Sequence, residues 1–375
     1  MSELQLDLTS LEGWKFDEKA CTDCGLCCLC QPELLESEVP LFRHKYRGKI
    51  VSKKHPHEHT ALTMKKGVGS CSFLENKRCS IYPERPYFCR AFPLHIHVGE
   101  RAQVVLDLSC RGAWNDKGED ALAMGMGWAK GAEGRINAVT RQARSVYSEY
   151  LENCREQGMD ASASRLRGMA TPLMKKFADV SFLAELLEAT MAEEPVETVT
   201  LKGTALDAEQ LKAFEEEARE GGMDGLTCGS AFDAPVYCDE KGGWNIFMAE
   251  SGRLVHRVLD EDGALKEVGK IDPAAFRLLP PEGDGVALMV RYMNMLNQRD
   301  CLLGSAYAIH DENGYEDEVE NVYLGVLGTA AVELLWRLNL LDHVFHVGRG
   351  VRGVREAIIY YDMDRLDAPS IGAFV

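Results

Sequence analysis

Residues 21–30 read CTDCGLCCLC and place five cysteines within ten positions. Thiols at this density are typical of a disulfide scaffold, a metal site or a redox-active dithiol. The whole chain has 13 cysteines, and nine of them fall between residues 21 and 110. The sequence therefore predicts a specialised cysteine-rich module near the N-terminus, and the remaining residues decide which kind it is.

Length and composition argue against a disulfide scaffold. A chain of 375 residues with 46% hydrophobic content can bury the cores of two or three domains without covalent cross-links. The opening MSELQLDLTSLEGWKFDEK lacks the basic and apolar regions of a signal peptide, and no uncharged apolar run approaches the roughly 18 residues of a membrane span. We therefore expect a cytoplasmic protein without a membrane contact. In that reducing compartment a cysteine cluster is more often metal-binding or redox-active than cross-linked.

The two parts of the chain differ in charge. Residues 1–112 carry 16 Lys+Arg against 14 Asp+Glu, a net charge of +2. The whole chain has a net charge of −17, so residues 113–375 have a net charge of −19. Near-neutral surroundings suit an anionic thiolate site. The strongly acidic remainder argues against a nucleic-acid partner, because such partners are attracted by basic surfaces.

The first cysteine group has metal-ligand spacing. In Cys21-x2-Cys24-x2-Cys27, with Cys28 adjacent, each tight C-x-x-C turn can direct two sulfurs at one metal at about 2.3 Å. The same run is similar to the start of a bacterial ferredoxin motif. The fourth element of that motif is missing, since Cys28 and Cys30 stand in its place.

The second group, CSFLENKRCSIYPERPYFCRAFP at residues 71–93, alternates cysteines with prolines, and Cys110 follows in DLSCRG. Proline fixes φ and removes a donor, so we expect a stiff, non-helical loop that presents its thiols with little loss of entropy. A four-thiolate zinc site or cubane cluster keeps a charge of about −2. Arg85 and Arg90 are therefore predicted to donate charge-assisted hydrogen bonds to this site.

The ordered set CTDCGLCC, CSFL, CSIYPERPYFCRAFP and DLSCRG resembles the CxxCxxCC cysteine-cluster (YkgJ) family of zinc- or iron-chelating domains, over roughly residues 16–112. Cys30 departs from the family pattern. The resemblance implies that Arg85, Pro86, Arg90 and Pro93 belong to the signature. It also implies a metal-binding module with the ligands Cys21, Cys24, Cys27, Cys28, Cys71, Cys79, Cys89 and Cys110.

Several alternatives stay open at this point. Eight thiols fill two four-coordinate sites, or one site with cysteines left for redox exchange. Zinc and an iron–sulfur cluster, including the 4Fe-4S type, are both compatible with the pattern, and so is a redox dithiol without metal. Chance burial of small residues does not produce this spacing.

For function, we expect a redox or metal-handling accessory that acts with a protein partner. The alternative is a metal-dependent protein-modifying enzyme, because a related cysteine pattern occurs in flagellin lysine methylases. The accessory role is favoured because the rest of the sequence contains no recognisable nucleophile–base set.

The overall pattern predicts an α+β, mainly helical protein in three parts: the cysteine module at 1–115, a helical segment at 116–195 and an acidic α+β domain at 196–375. Helices are predicted at 135–154, with Ile136, Val139, Ala143, Val146, Tyr150 and Cys154 on one face, at 171–195 with Thr171 as N-cap, and from Asp207 to Gly222. Short strands separated by DEKGG, ESG and DEDG predict a β-meander from about 234 to 272. The apolar segments 286–298 and 321–341 are predicted to be buried helices.

Histidines near the cysteine groups are weaker candidates. His55, His57 and His59 follow a basic stretch and are expected in a solvated loop. His95 and His97 alternate with apolar residues and are expected on one face of a strand, either exposed or near the cysteines.

Two further motifs favour structural roles. Cys228 and Cys238 are separated by nine residues and lack further cysteines nearby, so a metal role is not expected. Gly348, Gly350 and Gly353 follow the strand-like HVFHV in a G-x-G-x-x-G pattern, but the chain ends too soon for the βαβ unit of a dinucleotide site.

Overall fold

The computed structural model describes residues 6–16, 24–54, 58–115 and 118–374. Helices make up about half of the chain, and the strands form several small sheets. The α+β, mainly helical class predicted from the sequence is confirmed.

The longer helices form the bulk of the protein, and α9 lies at their centre with α5, α6, α8 and α10 packed against it. In the described residues the helices are α1 Val39–Lys45, α2 Tyr87–Ala91, α3 Ala121–Glu156, α4 Ala163–Ala170, α5 Val180–Thr190, α6 Ala208–Asp224, α7 Asp284–Gln298, α8 Asp300–Glu312, α9 Val319–Phe345 and α10 Val351–Asp367.

The strands are short and belong to several sheets. They are β1 Leu6–Asp7, β2 Lys15–Phe16, β3 Ile50–Lys53, β4 His59–Leu62, β5 Leu74–Glu75, β6 Arg78–Cys79, β7 Leu94–Val98, β8 Ala102–Leu106, β9 Glu119–Asp120, β10 Val236–Cys238, β11 Trp244–Glu250, β12 Arg253–Leu259, β13 Leu265–Ile271 and β14 Ala373–Phe374. The pairs β2–β9, β3–β4 and β5–β6 are two-stranded.

The first four-stranded sheet joins distant parts of the chain. Its order is β1-β8-β7-β14, with β7 and β8 forming an antiparallel hairpin in which Leu94 faces Leu106. All five residues of β8 are buried. Because β8 leads directly to the DLSCRG segment, this buried strand fixes the position of Cys110, the third cysteine segment. The division at 115 and 195 stays a prediction.

The β-meander is confirmed. Strands β10 to β13 pair in sequence order, all antiparallel. The turns fall where the sequence has glycine, and Gly242, Gly252 and Gly263 have positive φ angles of 78°, 77° and 87°. These left-handed conformations cost a glycine little, which explains the regular spacing of the turns.

The predicted helices are found with two corrections. In α3, Ile136, Ala143, Tyr150 and Cys154 are buried as predicted, but Val146 is 49% exposed; Val139 lies outside the described side chains. Residues 171–176 form a short 3₁₀ helix, so Thr171 is not the N-cap of an α-helix. Instead α5 begins at Val180, because the Asp179 carboxylate accepts hydrogen bonds from the Ser181 and Phe182 amides at 2.9 and 3.3 Å.

The predicted helix from Asp207 is confirmed by a capping box. The Asp207 carboxylate accepts from the Gln210 amide at 2.9 Å, while the Gln210 side chain accepts from the Asp207 amide at 3.0 Å. The helix continues through Gly221 and Gly222 and ends at Asp224.

Helix α9 is the one described helix with the length and apolar composition of a membrane span. Of its most apolar window, 78% is buried inside the protein. The polar groups that favoured a core helix are paired there: Glu333 accepts from the Tyr361 hydroxyl at 2.6 Å, and Arg337 donates to the Tyr360 carbonyl at 2.7 Å. The predicted buried helix is confirmed.

Close packing of α6 on α9 leads to a testable expectation for two adjacent glycines. A Cβ at Gly222 would lie 2.4 Å from Cδ2 of Trp336, whereas a Cβ at Gly221 would meet no atom within 4 Å. We expect Gly222→Ala to lower the free energy of unfolding by about 1–3 kcal/mol. Gly221→Ala is the matched control and should raise that free energy by up to about 1 kcal/mol. Urea unfolding of both variants checks this, and equal effects would contradict the packing.

Candidate metal centre

The first cysteine segment is a tight turn. Gly25 has a φ of 66°, and the 3₁₀ helix Leu26–Cys28 follows it. A side chain at Gly25 would also crowd Leu74 and Trp244, both 3.1 Å from an ideal Cβ. Glycine is therefore required here, and it allows the chain to place Cys24, Cys27 and Cys28 around one turn.

The second segment packs directly on the first. The Cys71 amide donates to the Cys28 carbonyl at 2.7 Å. Cys79 then lies on β6, opposite Leu74 of β5. These contacts bring the second cysteine segment against the turn at Gly25, although Cys28 and Cys71 are about forty positions apart in the sequence.

Cys89 lies on α2, so the prediction of a wholly non-helical loop at 71–93 is wrong. Pro86 stands immediately before this helix, where its missing N–H leaves no internal hydrogen bond unmade, and its carbonyl accepts from the Arg90 amide at 3.0 Å. The prolines stiffen the segment without preventing one short helical turn.

The cysteines of all three segments line one cavity of 1140 Å³. Seven of the eight predicted ligands are among its lining residues, and Cys30, which departs from the family pattern, lines it as well. The eighth, Cys21, lies outside the described residues. The lining cysteines are Cys24, Cys27, Cys28, Cys30, Cys71, Cys79, Cys89 and Cys110.

The electrostatics of the cavity favour a cation among the thiols. A hydrogen bond to Cys28, together with burial, raises the pKa of Cys27 well above its ordinary value. Burial and the neighbouring thiols Cys27, Cys71 and Cys79 raise the pKa of Cys89. Burial also raises the pKa of Cys110, with Cys24 adding to the effect. Ionising several of these thiols together requires positive charge between them, which a bound metal supplies.

The two predicted arginines differ in position. Arg85 lines the cavity, donates to the carbonyls of Tyr82 at 3.0 Å and Cys89 at 3.4 Å, and its charge opposes the rise in the pKa of Cys27 and Cys89. Arg90 is not among the lining residues; its guanidinium is 54% exposed and lies 3.4 Å from Glu38. Arg85 therefore lies beside the thiols and Arg90 lies at the surface, and the hydrogen bonds of either arginine to a metal centre stay a prediction.

Lys77 is a lining residue that the sequence did not single out. Its ammonium lies 2.7 Å from the centre of the Trp244 ring, and burial lowers its pKa to about 8. The cysteines Cys238 and Cys24 act in the opposite direction on this pKa. Lys77 thus adds a second positive group beside the thiols.

The donor set fits zinc or iron, while the present side-chain positions do not form a closed ion site. Thiolates are the preferred soft ligands of zinc and of iron–sulfur clusters. Among the residues that the structure describes, no three Cys, His, Asp or Glu side chains converge tightly enough to hold one ion. The thiols instead surround a larger volume, and the role of each as a ligand stays a prediction.

The histidines occupy different surroundings. His95 lines the cavity, and its Nε2 lies buried 3.7 Å from Oδ2 of Asp107, without a hydrogen-bond partner among the described residues. His97 is fully buried near Ser370, and burial lowers its pKa to about 4. His59 begins β4, 3.6 Å from Glu33. His55 and His57 lie outside the described residues.

The glycine motif near the C-terminus has no strand before it. The segment HVFHV, interpreted as strand-like, is largely the end of α9, which runs to Phe345. Gly348 and Gly350 therefore lie between two helices, α9 and α10, and Gly353 lies inside α10. This agrees with the interpretation that the motif is not a dinucleotide site.

Comparison with known proteins agrees with the geometry of the N-terminal module. Residues 20–111 match the family model of the CxxCxxCC domain, which is described as zinc- or iron-chelating. The cysteine module is thus similar to the domains of this family over residues 20–111, and the similarity supports metal binding by the module. No curated protein and no solved structure matches the chain.

Proposed function

We propose that the cysteine module holds an iron–sulfur cluster and that the protein is a redox or metal-handling accessory to a protein partner in the cytoplasm. The observation that carries this proposal is the convergence of eight cysteines on one cavity of 1140 Å³. The match to a zinc- or iron-chelating domain supports the metal, and the geometry of the cavity supports the cluster.

The spread of the thiols favours a cluster over a single zinc ion. Tetrahedral zinc with bonds of about 2.3 Å holds its donor sulfurs about 3.8 Å apart. No three donors in the described part of the chain are grouped for one ion. A cluster brings its own sulfides and irons, so its protein thiolates are spaced around a larger body.

Charge around the cavity is consistent with an anionic cluster. Arg85 and Lys77 both line the cavity, and both interact electrostatically with its cysteines. Positive groups close to a cluster stabilise its reduced, more negative state and so raise its reduction potential. This is the arrangement expected of a redox accessory.

Reduction by dithionite under argon tests the redox role. We expect a brown protein whose visible absorption decreases on reduction, returns on oxidation and is accompanied by an electron paramagnetic resonance signal. Zinc in a colourless protein would overturn the cluster and leave a zinc module. Iron that does not respond to reduction would overturn the redox role.

A protein-modifying enzyme is the second candidate, and the wall of the cavity that carries His95 favours it. The Nε2 of His95 lies 3.7 Å from Oδ2 of Asp107 and has no hydrogen-bond partner among the described residues. Asp367 lines the same cavity, and burial together with Asp364 and Asp107 raises its pKa. These groups are suited to proton transfer at a substrate that enters beside the metal.

The enzyme candidate is tested by the mass of a co-purifying partner. Incubation with the native protein and a low-molecular-weight cell extract, which supplies the donor of the transferred group, should add mass to the partner. His95→Asn should abolish the gain while leaving the metal content unchanged. A partner whose mass stays constant with the native protein would favour the accessory role.

A further inference from the structure

The β-meander places a further thiol against the cysteine module. Cys238 ends β10, is fully buried and pairs with Trp244 across the antiparallel ladder. The indole Nε1 of Trp244 donates to the carbonyl of Cys24 at 2.8 Å. The strand pair β10–β11 therefore contains Cys238 and also binds the backbone of Cys24 through Trp244.

The two thiols are in direct contact. Cys238 and Cys24 share a side-chain hydrogen bond, and Cys24 packs against the apolar cluster to which Cys238 belongs. Leu26, Leu74 and Ile246 belong to the apolar cluster around them. The two sulfurs thus lie side by side in a largely apolar environment, next to the module.

Positive charge is already arranged around this pair. Arg111 donates to the Cys238 carbonyl from Nε at 3.0 Å and from Nη2 at 2.6 Å, and it also pairs with the buried Glu356. Arg111 directly follows Cys110, which lines the cavity. Lys77 lies over the ring of Trp244, which is on β11, the strand paired with β10. Cys238 is thus connected to two segments of the cysteine module.

We infer that Cys238 supplies a thiolate ligand to the metal centre beside Cys24, so that the centre includes a residue from the C-terminal meander. Two thiolates this close bind one metal ion, as in a zinc site or at one iron of a two-iron cluster. The inference rests on the proposed function only in that the module binds a metal. It gives the C-terminal part of the chain a direct role in metal binding.

Cobalt(II) alone is the probe, because thiolate-to-cobalt charge transfer reports how many sulfurs bind the ion. The full chain is stripped of metal by a chelator under reducing conditions and titrated with cobalt. Cys238→Ser and Cys24→Ser should each lose charge-transfer intensity. Their cobalt affinity should fall by more than the about 10- to 100-fold typical of groups that only hydrogen-bond to a ligand.

Cys228→Ser is the matched control, because Cys228 packs against the same apolar cluster while its thiol donates to the Asp233 carbonyl at 3.8 Å. It should keep the full intensity and affinity. Cys238→Ala, which leaves a small apolar side chain in the strand, replaces the serine variant if that variant does not fold by circular dichroism.

The outcomes separate this inference from the proposed function. Unchanged cobalt spectra in both Cys238 variants, with intensity lost in Cys24→Ser, would overturn the ligand role of Cys238 and leave the module as a metal site. Loss of intensity in the Cys238 variants supports the inference even if the native protein contains no sulfide. No thiolate–cobalt absorption in the native chain would overturn both.

Discussion

Replacing Cys89 with serine is expected to remove most of the bound metal and to lower the thermal stability of the protein. The thiol of Cys89 lies among those of Cys27, Cys71 and Cys79, which are close enough to affect its pKa. In thiolate sites the free energy of metal binding is also free energy of folding, about 10–16 kcal/mol for structural zinc in small peptides. Loss of one ligand should therefore affect metal content and stability together.

Metal content by mass spectrometry and melting by circular dichroism, both without oxygen, measure these two effects. Cys24→Ser should behave like Cys89→Ser. Cys228→Ser controls for the change from thiol to hydroxyl away from the cavity. If Cys24→Ser and Cys89→Ser keep the metal and melting temperature of the native protein, these cysteines are not ligands.

Replacing Arg299 with alanine is expected to lower the free energy of unfolding by about 3–5 kcal/mol. Its guanidinium binds the Asp362 carboxylate at 2.7 and 2.9 Å, and both side chains are almost completely buried. Asp362 also accepts from the Tyr292 hydroxyl at 2.8 Å and the Leu108 amide at 2.6 Å. Without Arg299, a buried carboxylate beside the strand that leads to Cys110 loses its counter-charge.

An exposed arginine provides the control for that substitution. Arg277 is 60% exposed and pairs with Glu215 at 3.0 Å, so Arg277→Ala should cost about 0–1 kcal/mol. Chemical unfolding of both variants compares them. A loss at Arg299 as small as that at Arg277 would mean that the buried pair does not stabilise the fold.

Local patterns predicted many of the helices and the meander. The capping box at Asp207 and the spacing of apolar residues in α3 are local features, and so are the glycine turns of the meander. Such features form from neighbouring residues, so they can be predicted from the sequence. The sequence predicts the start of this α-helix at Thr171-Pro172, because threonine followed by proline is typical of a helix N-terminus. That pair begins a 3₁₀ helix, and the Asp179 carboxylate caps α5.

The convergence of the cysteine segments was also predictable, because their order and spacing carry the signal. The contact of Cys238 with Cys24 was not, since more than two hundred residues separate them and one cysteine in a strand has no distinguishing pattern. The pairing of β14 with β7 and the position of His95 in the cavity depend on the same kind of long-range contact. The sequence pattern predicts which residues can donate sulfur to a metal. It does not predict which residues from other parts of the chain line the same cavity.

The most direct test of the central claim is the iron and acid-labile sulfide content of the native protein purified without oxygen. An iron–sulfur cluster in the cysteine cavity requires iron and sulfide in comparable amounts, together with a brown chromophore. Zinc without sulfide, or a protein without metal, would contradict the cluster assignment.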